Sequence, residues 1–432
     1  MNQTLKDNIK ALIPMNTIRN LRAVRNARSI RHMADIPRIP FDKTAYPEGI
    51  NMIGCFTQDS GLGESCRIVA KDIEVAGIPH HFIDLSKYEW VGPDHTFDAQ
   101  LMDITDTDAF YYGINLWHVN MHLFEKVWEL TRDQWDRHYN IAFWSWENET
   151  FPKEWNPMLH MVDEVWTPSE FTSDSIRRVM DKPVVTLPHV VEVHPAENIG
   201  RNYFHLPEDK FLYLMLYDAN SISDRKNPEG VIQAFKKAFS ISEQSSSNYE
   251  ANNKTRSFDM DQVGLVIKIS HASEAKLNQL CSQLAGYHVY FIRDMLPKPY
   301  VEALIQCCDA YISLHRAEGY GLVLGEAMAL GVPTIATNYS GNLEFQNETN
   351  AALVDARKIR IGKDIWPYKA EYEWADPNIE DAARKIREVY MNKNYREAII
   401  KTAKESVRED KQRQRAVEII NNSMQAIVQG NR

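Results

Sequence analysis

The chain has 432 residues, 44% of them hydrophobic and 25% charged, with a formal net charge of −10. That length allows two or three domains of ordinary globular composition, and the acidic balance argues against nucleic acid as the main partner. The sign is uneven: residues 1–43 carry nine Lys/Arg against three Asp, a net +6 that leaves −16 on the remainder, the pattern of a basic arm on an acidic body.

Five cysteines (Cys55, Cys66, Cys281, Cys307 and Cys308) form no CxxC pair and no even framework, which is expected of free thiols in a reducing compartment. The N-terminus lacks the apolar core of a signal peptide, and no run approaches the ~18 apolar residues of a membrane span. The expectation is a cytoplasmic protein, at most peripheral to the inner face of a membrane.

In chain order, a basic arm (1–45) comes first. Within it Arg19, Arg22, Arg25, Arg28 and Arg31 recur every three residues beside Ile18, Leu21, Val24 and Ile30. At 100° per residue both stripes wind round a helix instead of holding one face. A membrane-surface arm and a solvated or acceptor-facing arm therefore stand side by side.

From residue 46 strands and helices alternate. "GINMIGCF", "HHFIDL", "AFYYGINLWHV", "NIAFWSW", "DEVWTPS" and "PVVTLPH" read as strands; "GLGESCRIVAKDIEVAGI" and "SEFTSDSIRRVM" read as helices. The pattern loosens near 188–205 and restarts with strand "FLYLMLYD", helix "PEGVIQAFKKAF", strand "VGLVIKIS", strand "YHVYFI", helix "KPYVEALIQCC" and strand "AYISLH". Between 240 and 261 lies a polar, Ser/Asn-rich insertion. Two βα runs joined by a linker predict two doubly wound α/β domains, 46–195 and 196–395, facing one another. The residues from 396 to 432 predict helices packing back on the first domain.

The most informative stretch is "SLHRAEGYGLVLGEAMALGVP" (313–333). A strand runs into a glycine turn, and a helix is predicted from about Gly321 to Gly331, with Pro333 beyond it. Strand ends and helix N-termini of open α/β sheets favour phosphate. Glu318 precedes the turn and Glu326 lies inside the helix, so the two cannot form an acid/base pair across one face. Carboxylates beside a phosphate site fit hydroxyl groups, a sugar at one end and a ribose at the other. Upstream, Arg225 and Lys226 follow a strand and precede a helix, where a cation pair can neutralise a diphosphate.

The longer stretch "SLHRAEGYGLVLGEAMALGVPTIATNYSGN" resembles the donor-site signature of retaining GT-B glycosyltransferases of family 4 (group 1), of the bacterial polysaccharide type. The resemblance implies an α/β GT-B fold, two facing Rossmann-like domains with a cleft between them. It implies Glu318 near the transferred sugar, Glu326 on the nucleotide ribose, and Gly319, Tyr320, Gly321 and Leu322 around sugar and phosphate. Arg225 and Lys226 fall on the family's basic pair. Gly61 and Gly63 in "GLGESCR" resemble its first glycine loop, close to phosphate or acceptor, although Cys66 replaces the third glycine of a dinucleotide fingerprint.

His118 closes a predicted strand. A family 4 histidine at a similar strand end sits near the transferred sugar, and a neutral structural histidine is the equal alternative. "FWSWENETFPKEW" offers Trp144, Trp146 and Glu147 to an acceptor cleft, with at least one Trp expected in the core. The His118/His122 spacing suits a metal but lacks a third ligand, and Asp103, Asp106 and Asp108 precede their strand, as a solvated loop. No metal or cofactor is expected.

These residues imply a retaining, metal-independent transfer of a hexose from a nucleotide diphosphate sugar to a saccharide or lipid-linked glycan acceptor in polysaccharide biosynthesis. The basic arm offers peripheral membrane contact. Rival readings are a nucleotide-sugar epimerase or a phosphorylase on the same fold, and a catalytically silent scaffold subunit.

Overall fold

The runs rich in Val, Ile and aromatic residues become the strands of two parallel sheets in the computed structural model, which describes residues 30–86, 110–219, 222–239 and 260–430. Most of the basic arm, the Asp103–Asp108 loop and most of the polar insertion lie outside the described residues. The chain divides into two compact units. The first runs up to Pro188 and includes Arg360–Glu373 and the residues from Arg415; the second is His189–Ile359 with Trp374–Gln414. The division falls after Pro188, a few residues before the boundary read from the sequence.

In the first unit six strands, β1 (Ile50–Gly54), β2 (His80–Asp84), β3 (Ile114–His118), β4 (Tyr139–Phe143), β5 (Glu164–Thr167) and β6 (Val184–Thr186), take the order β2-β1-β3-β4-β5-β6. All are parallel. Parallel strands need crossovers; helices α1 (Gly61–Val75), α2 (Met121–Thr131), α3 (Asn156–Met161) and α4 (Glu170–Arg177) lie along them.

The third strand is shorter than its apolar run. The amides of Tyr111 and Tyr112 donate to Asn51 Oδ1 at 3.0 Å, and Asn51 Nδ2 donates to the Tyr112 carbonyl at 2.7 Å. The ladder is thus replaced there by a side chain. Asn51, Asn115 and Asn140 occupy matching positions on β1, β3 and β4 and are linked amide to amide at 2.8 and 3.1 Å. A buried, bonded polar row of this kind penalises any register slip, which would leave its members unpaired.

In the second unit β7 (Phe211–Asp218), β8 (Val263–Ser270), β9 (Val289–Ile292), β10 (Ala310–Ser313), β11 (Thr334–Thr337) and β12 (Ala352–Val354) take the order β12-β11-β10-β7-β8-β9. Its strands are also parallel. The continuous apolar run of β7 belongs to a strand covered on both faces: Tyr213, Met215 and Tyr217 enter one core cluster, Leu212 and Leu214 the other. Helices α5 (Ser223–Lys226), α6 (Pro228–Phe239), α7 (Glu274–Gln283), α8 (Lys298–Cys307) and α9 (Leu322–Leu330) serve this sheet. They are followed by α10 (Ile379–Met391), α11 (Lys393–Ser406) and α12 (Glu409–Val428).

The strand order of each sheet reverses once, between β1 and β3 and between β7 and β10, and in open α/β sheets ligands bind at the carboxyl ends beside such a point. Between β12 and α10 the chain adds a two-stranded sheet, β13 (Ala356–Arg360) and β14 (Glu373–Pro377), whose intervening residues belong to the first unit. From residue 415 the terminal helix also belongs there, and Ser423 Oγ donates to Glu164 Oε1 at 2.9 Å. No helix among the described residues is long and apolar enough to cross a membrane.

Candidate active site

The reversal point of the second sheet gathers the strongest candidates. After β7 the chain makes the single turn α5, which Asn227 ends in the left-handed region with φ 53°, a conformation asparagine tolerates. Asn227 Nδ2 donates to the Leu314 carbonyl at 2.9 Å, which ties this turn to the end of β10. A Cβ on Gly230 would fall 2.3 Å from Asn227 Nδ2, so only glycine leaves room for that tie.

Arg225 and Lys226 are thereby aimed at the loop after β10. Arg225 is buried; its Nη1 donates to the Ala317 carbonyl at 2.8 Å and to Glu318 Oε2 at 3.1 Å. Lys226 Nζ donates to Glu318 Oε1 at 2.5 Å. Burial alone would push the Glu318 carboxyl up. Lys226 first, then Arg225 and His315, outweigh it and hold the group well below the usual carboxylate range. Glu318 is therefore a fixed anion beside two fixed cations, which leaves one net positive charge.

The loop that carries Glu318 is clamped from β11. The Glu318 amide donates to Ser340 Oγ at 2.8 Å, and the Gly341 amide donates to the Glu318 carbonyl at 2.9 Å. Ser340 holds φ 82°, a strained value for a residue with a side chain. A Cβ on Gly341 would lie 2.1 Å from the Gly319 carbonyl oxygen, so this approach admits glycine alone. Beneath them His315 is fully buried, with Nδ1 3.0 Å from Ser313 Oγ and Nε2 3.1 Å from Asn342 Oδ1. Burial pushes its imidazole below the ordinary value.

Helix α9 starts and stops at the two glycines expected of it, Gly321 with φ 94° and Gly331 with φ 81°. No side chain caps its N-terminus and no acidic residue occupies its first turn, so the positive end of the helix dipole is available to an anion. The Tyr320 ring is buried and its hydroxyl donates to the His189 carbonyl at 2.7 Å; it anchors the turn while the backbone of Gly319–Leu322 carries the amides. Glu326, inside α9, is buried and lies 3.5 Å from Lys298 Nζ, which is also 3.6 Å from Glu302.

In the first unit the expected residues gather at the other reversal point. Gly54 and His118 are register partners at the ends of β1 and β3. Gly61 opens α1 with nothing near its missing Cβ. Gly63 could not carry one, since it would meet the Gln58 carbonyl oxygen at 2.1 Å. Ser60 Oγ accepts from the Gly63 amide at 3.1 Å and Arg67 staples the loop by donating to the carbonyls of Phe56 and Gln58. His118 is fully buried, its Nε2 2.9 Å from Ser65 Oγ and its ring stacked on Phe143 at 4.5 Å.

Trp144 and Trp146 are both buried in the core, as was expected of at least one of them, and neither is left to line an acceptor cleft. β4 ends at Phe143 with all five of its residues buried, and Trp144 beyond it packs on Phe124 and Phe151. Glu147 accepts from the Tyr368 hydroxyl at 3.1 Å. Sequence reading missed Asn227, His315, Lys298, Ser340 and Gly341. The Ser-Gly pair just after a strand was the available signal for the last two, and the four-residue spacing of Lys298 and Glu302 for the third.

Residues 204–360 match the family model described as "Glycosyl transferases group 1". A comparison with curated protein sequences finds no match. Among solved structures the chain is similar to the sucrose-phosphate synthase of Thermosynechococcus elongatus, with TM-score 0.60 and 14% identity, over 90% of this chain and 100% of that one. It is similar to Anabaena HepE in complex with UDP and glucose, with TM-score 0.56 and 13% identity, over 87% and 99%. It is similar also to an S. aureus TarM mutant in complex with fondaparinux, alpha-GlcNAc-glycerol and UDP, with TM-score 0.51 and 13% identity, over 72% and 55%. The chain spans about half the length of the TarM structures, 54% and 55% of them. The architecture is thus an α/β GT-B fold of two Rossmann-like units, and the stretch similar to the group 1 model lies almost wholly in the second.

Proposed function

We propose that the protein is a retaining, metal-independent glycosyltransferase that moves a hexose from a nucleotide diphosphate sugar to a glycan or lipid-linked glycan acceptor in polysaccharide biosynthesis. The observation that carries the reading is the convergence of Arg225, Lys226 and Glu318 beside the uncapped start of α9. The group 1 match of residues 204–360 supports it.

In this reading the donor diphosphate lies between the two cations and the amides of Gly319–Leu322. The bond from the anomeric carbon to the diphosphate oxygen breaks first, and the leaving group takes its electron pair. Arg225, Lys226 and the helix start stabilise the negative charge that develops there, a placement that lowers such barriers by about 2.7–4 kcal/mol per donor. The acceptor oxygen then bonds to the anomeric carbon on the face the diphosphate leaves, and its proton passes to a phosphate oxygen. Glu318 touches the sugar hydroxyls, and Glu326, aligned by Lys298, takes the ribose hydroxyls. The neutralising charge comes from the protein's own groups, which is why no metal enters the scheme. The Gly61–Gly63 loop lies close to phosphate or acceptor in this reading, and the full burial of His118 against Ser65 and Phe143 favours the structural histidine over one that touches the transferred sugar.

The test is a transfer assay with purified protein, the product's anomeric configuration read by NMR. Retained configuration and loss of turnover in Lys226→Ala and Glu326→Ala are expected. Inverted configuration, or either variant turning over normally, would overturn the reading. Sugar interconversion without any acceptor would instead identify an epimerase.

A further inference from the structure

Apart from these residues, the first unit holds a recess walled by Met121, Glu125, Glu154, Trp155, Trp366 and Lys369. Trp366 is unusual there: a large aromatic that is 40% exposed, standing at 85° to Trp155 with ring centroids 6.5 Å apart. Its segment is held at several points. Lys369 Nζ pairs with Glu154 Oε1 at 2.7 Å, Tyr368 packs on Trp146 at 5.3 Å, and Asn148 Nδ2 donates to the Glu373 carbonyl at 2.7 Å. The indole is therefore presented by an anchored wall.

Charge narrows what could fill the recess. Lys369 neutralises Glu154, whereas Glu125 has no ion-pair partner among the described residues, so the lining carries about one net negative charge. His122 lies at the exposed edge of the lining. An anionic ligand would meet Glu125 unscreened. A purely apolar ligand would strip water from two carboxylates without replacing its hydrogen bonds. A cation would find only about one net negative charge, at a partly exposed carboxylate where ion pairing contributes little. A ring with an apolar C–H face and a rim of hydroxyls fits all of these, stacking on indole and donating to carboxylate.

We propose that this recess binds a neutral hexose unit of a saccharide chain, with Trp366 as the stacking face and Glu125 as the hydroxyl acceptor. The proposal rests on the glycosyl-transfer reading only for the ligand's role, as acceptor. Binding itself is independent of the donor site.

The experiment titrates the full chain, without nucleotide, with maltotriose, cellotriose and mannotriose, and with a hyaluronan tetrasaccharide as the anionic comparison. Saturation-transfer NMR and tryptophan fluorescence report binding. At least one neutral trisaccharide should bind, Trp366→Ala should weaken it by about tenfold or more, and Trp366→Phe should restore part of the loss. Glu125→Gln should weaken it several-fold. The rise in melting temperature caused by a nucleoside diphosphate should be the same in Trp366→Ala as in the parent chain, which reports that the variant is folded. No binding by any neutral trisaccharide, equal binding by Trp366→Ala, or tighter binding of the hyaluronan fragment would overturn the proposal. Failure of every nucleoside diphosphate to bind the parent chain would overturn the transfer reading instead, and the trisaccharide titration would still decide this one.

Discussion

Lys226 Nζ lies 2.5 Å from Glu318 Oε1, so a carboxylate carried by the loop after β10 meets a cation from the turn after β7. Arg225 completes the pairing from the same turn. The strands concerned are neighbours at the sheet's reversal point, which is how residues over ninety positions apart in sequence come to share a charge site. A bound diphosphate would compete with Glu318 for Lys226, and would find the lysine already oriented.

The two cations should therefore separate in their effects. Lys226 is the more exposed, with 27% of its side chain accessible; its truncation leaves Glu318 to Arg225 alone and should cost less stability than truncating Arg225, while lowering kcat/KM by about 10²–10³-fold. Arg225 is buried and also serves the Ala317 carbonyl. Truncating it leaves a buried carbonyl and a half-paired carboxylate, at a cost of about 3 kcal/mol. Urea melts beside steady-state kinetics check the split.

Acid should weaken the fold through the same cluster. Glu318 is held well below its ordinary value of 4.5. Its contribution is complete above that value and is lost progressively as pH falls below it toward the depressed one. His315, kept neutral by burial, adds a loss that begins as pH falls through its ordinary 6.5. Urea midpoints measured from pH 7 to pH 3 should fall, and Glu318→Gln should flatten the portion below about 4.5.

Glycines near both candidate sites should not be equivalent. Gly63→Ala places a methyl 2.1 Å from the Gln58 carbonyl oxygen and should cost about 1–3 kcal/mol. Gly61→Ala meets open space at the helix start and should change stability by less than about 0.5 kcal/mol. Gly341→Ala must displace the Gly319 carbonyl and should lower transfer by about 10²-fold through misplacement of the donor loop. Thermal melts and transfer rates of the three variants decide.

Much of the second unit was legible in sequence because its signals are local. "FLYLMLYD" and "VGLVIKIS" are continuous apolar runs that became β7 and β8 residue for residue, and Gly321 and Gly331 bracket α9 through their backbone conformation. What escaped is what depends on distant partners. Asn51 replaces the β3 ladder at Tyr111 and Tyr112 from sixty residues away. The excursion at 360–373 carries no periodicity that would assign it to the first unit. Trp144 and Trp146 sit in a motif that looked like a site, and their burial is decided by packing partners such as Phe124 and Trp155. The Arg225–Glu318 pairing joins two stretches singled out separately in the sequence, and only the order of strands brings them together.

The most direct measurement of the central claim is a thermal-shift panel of UDP, GDP, ADP and their hexose conjugates on the full chain and on Lys226→Ala. At a hundred times its dissociation constant, the matching nucleotide should stabilise the chain by about 2.7 kcal/mol. The shift should collapse in the variant. A panel in which no nucleotide raises the melting temperature, or in which Lys226→Ala responds like the parent chain, would contradict the account.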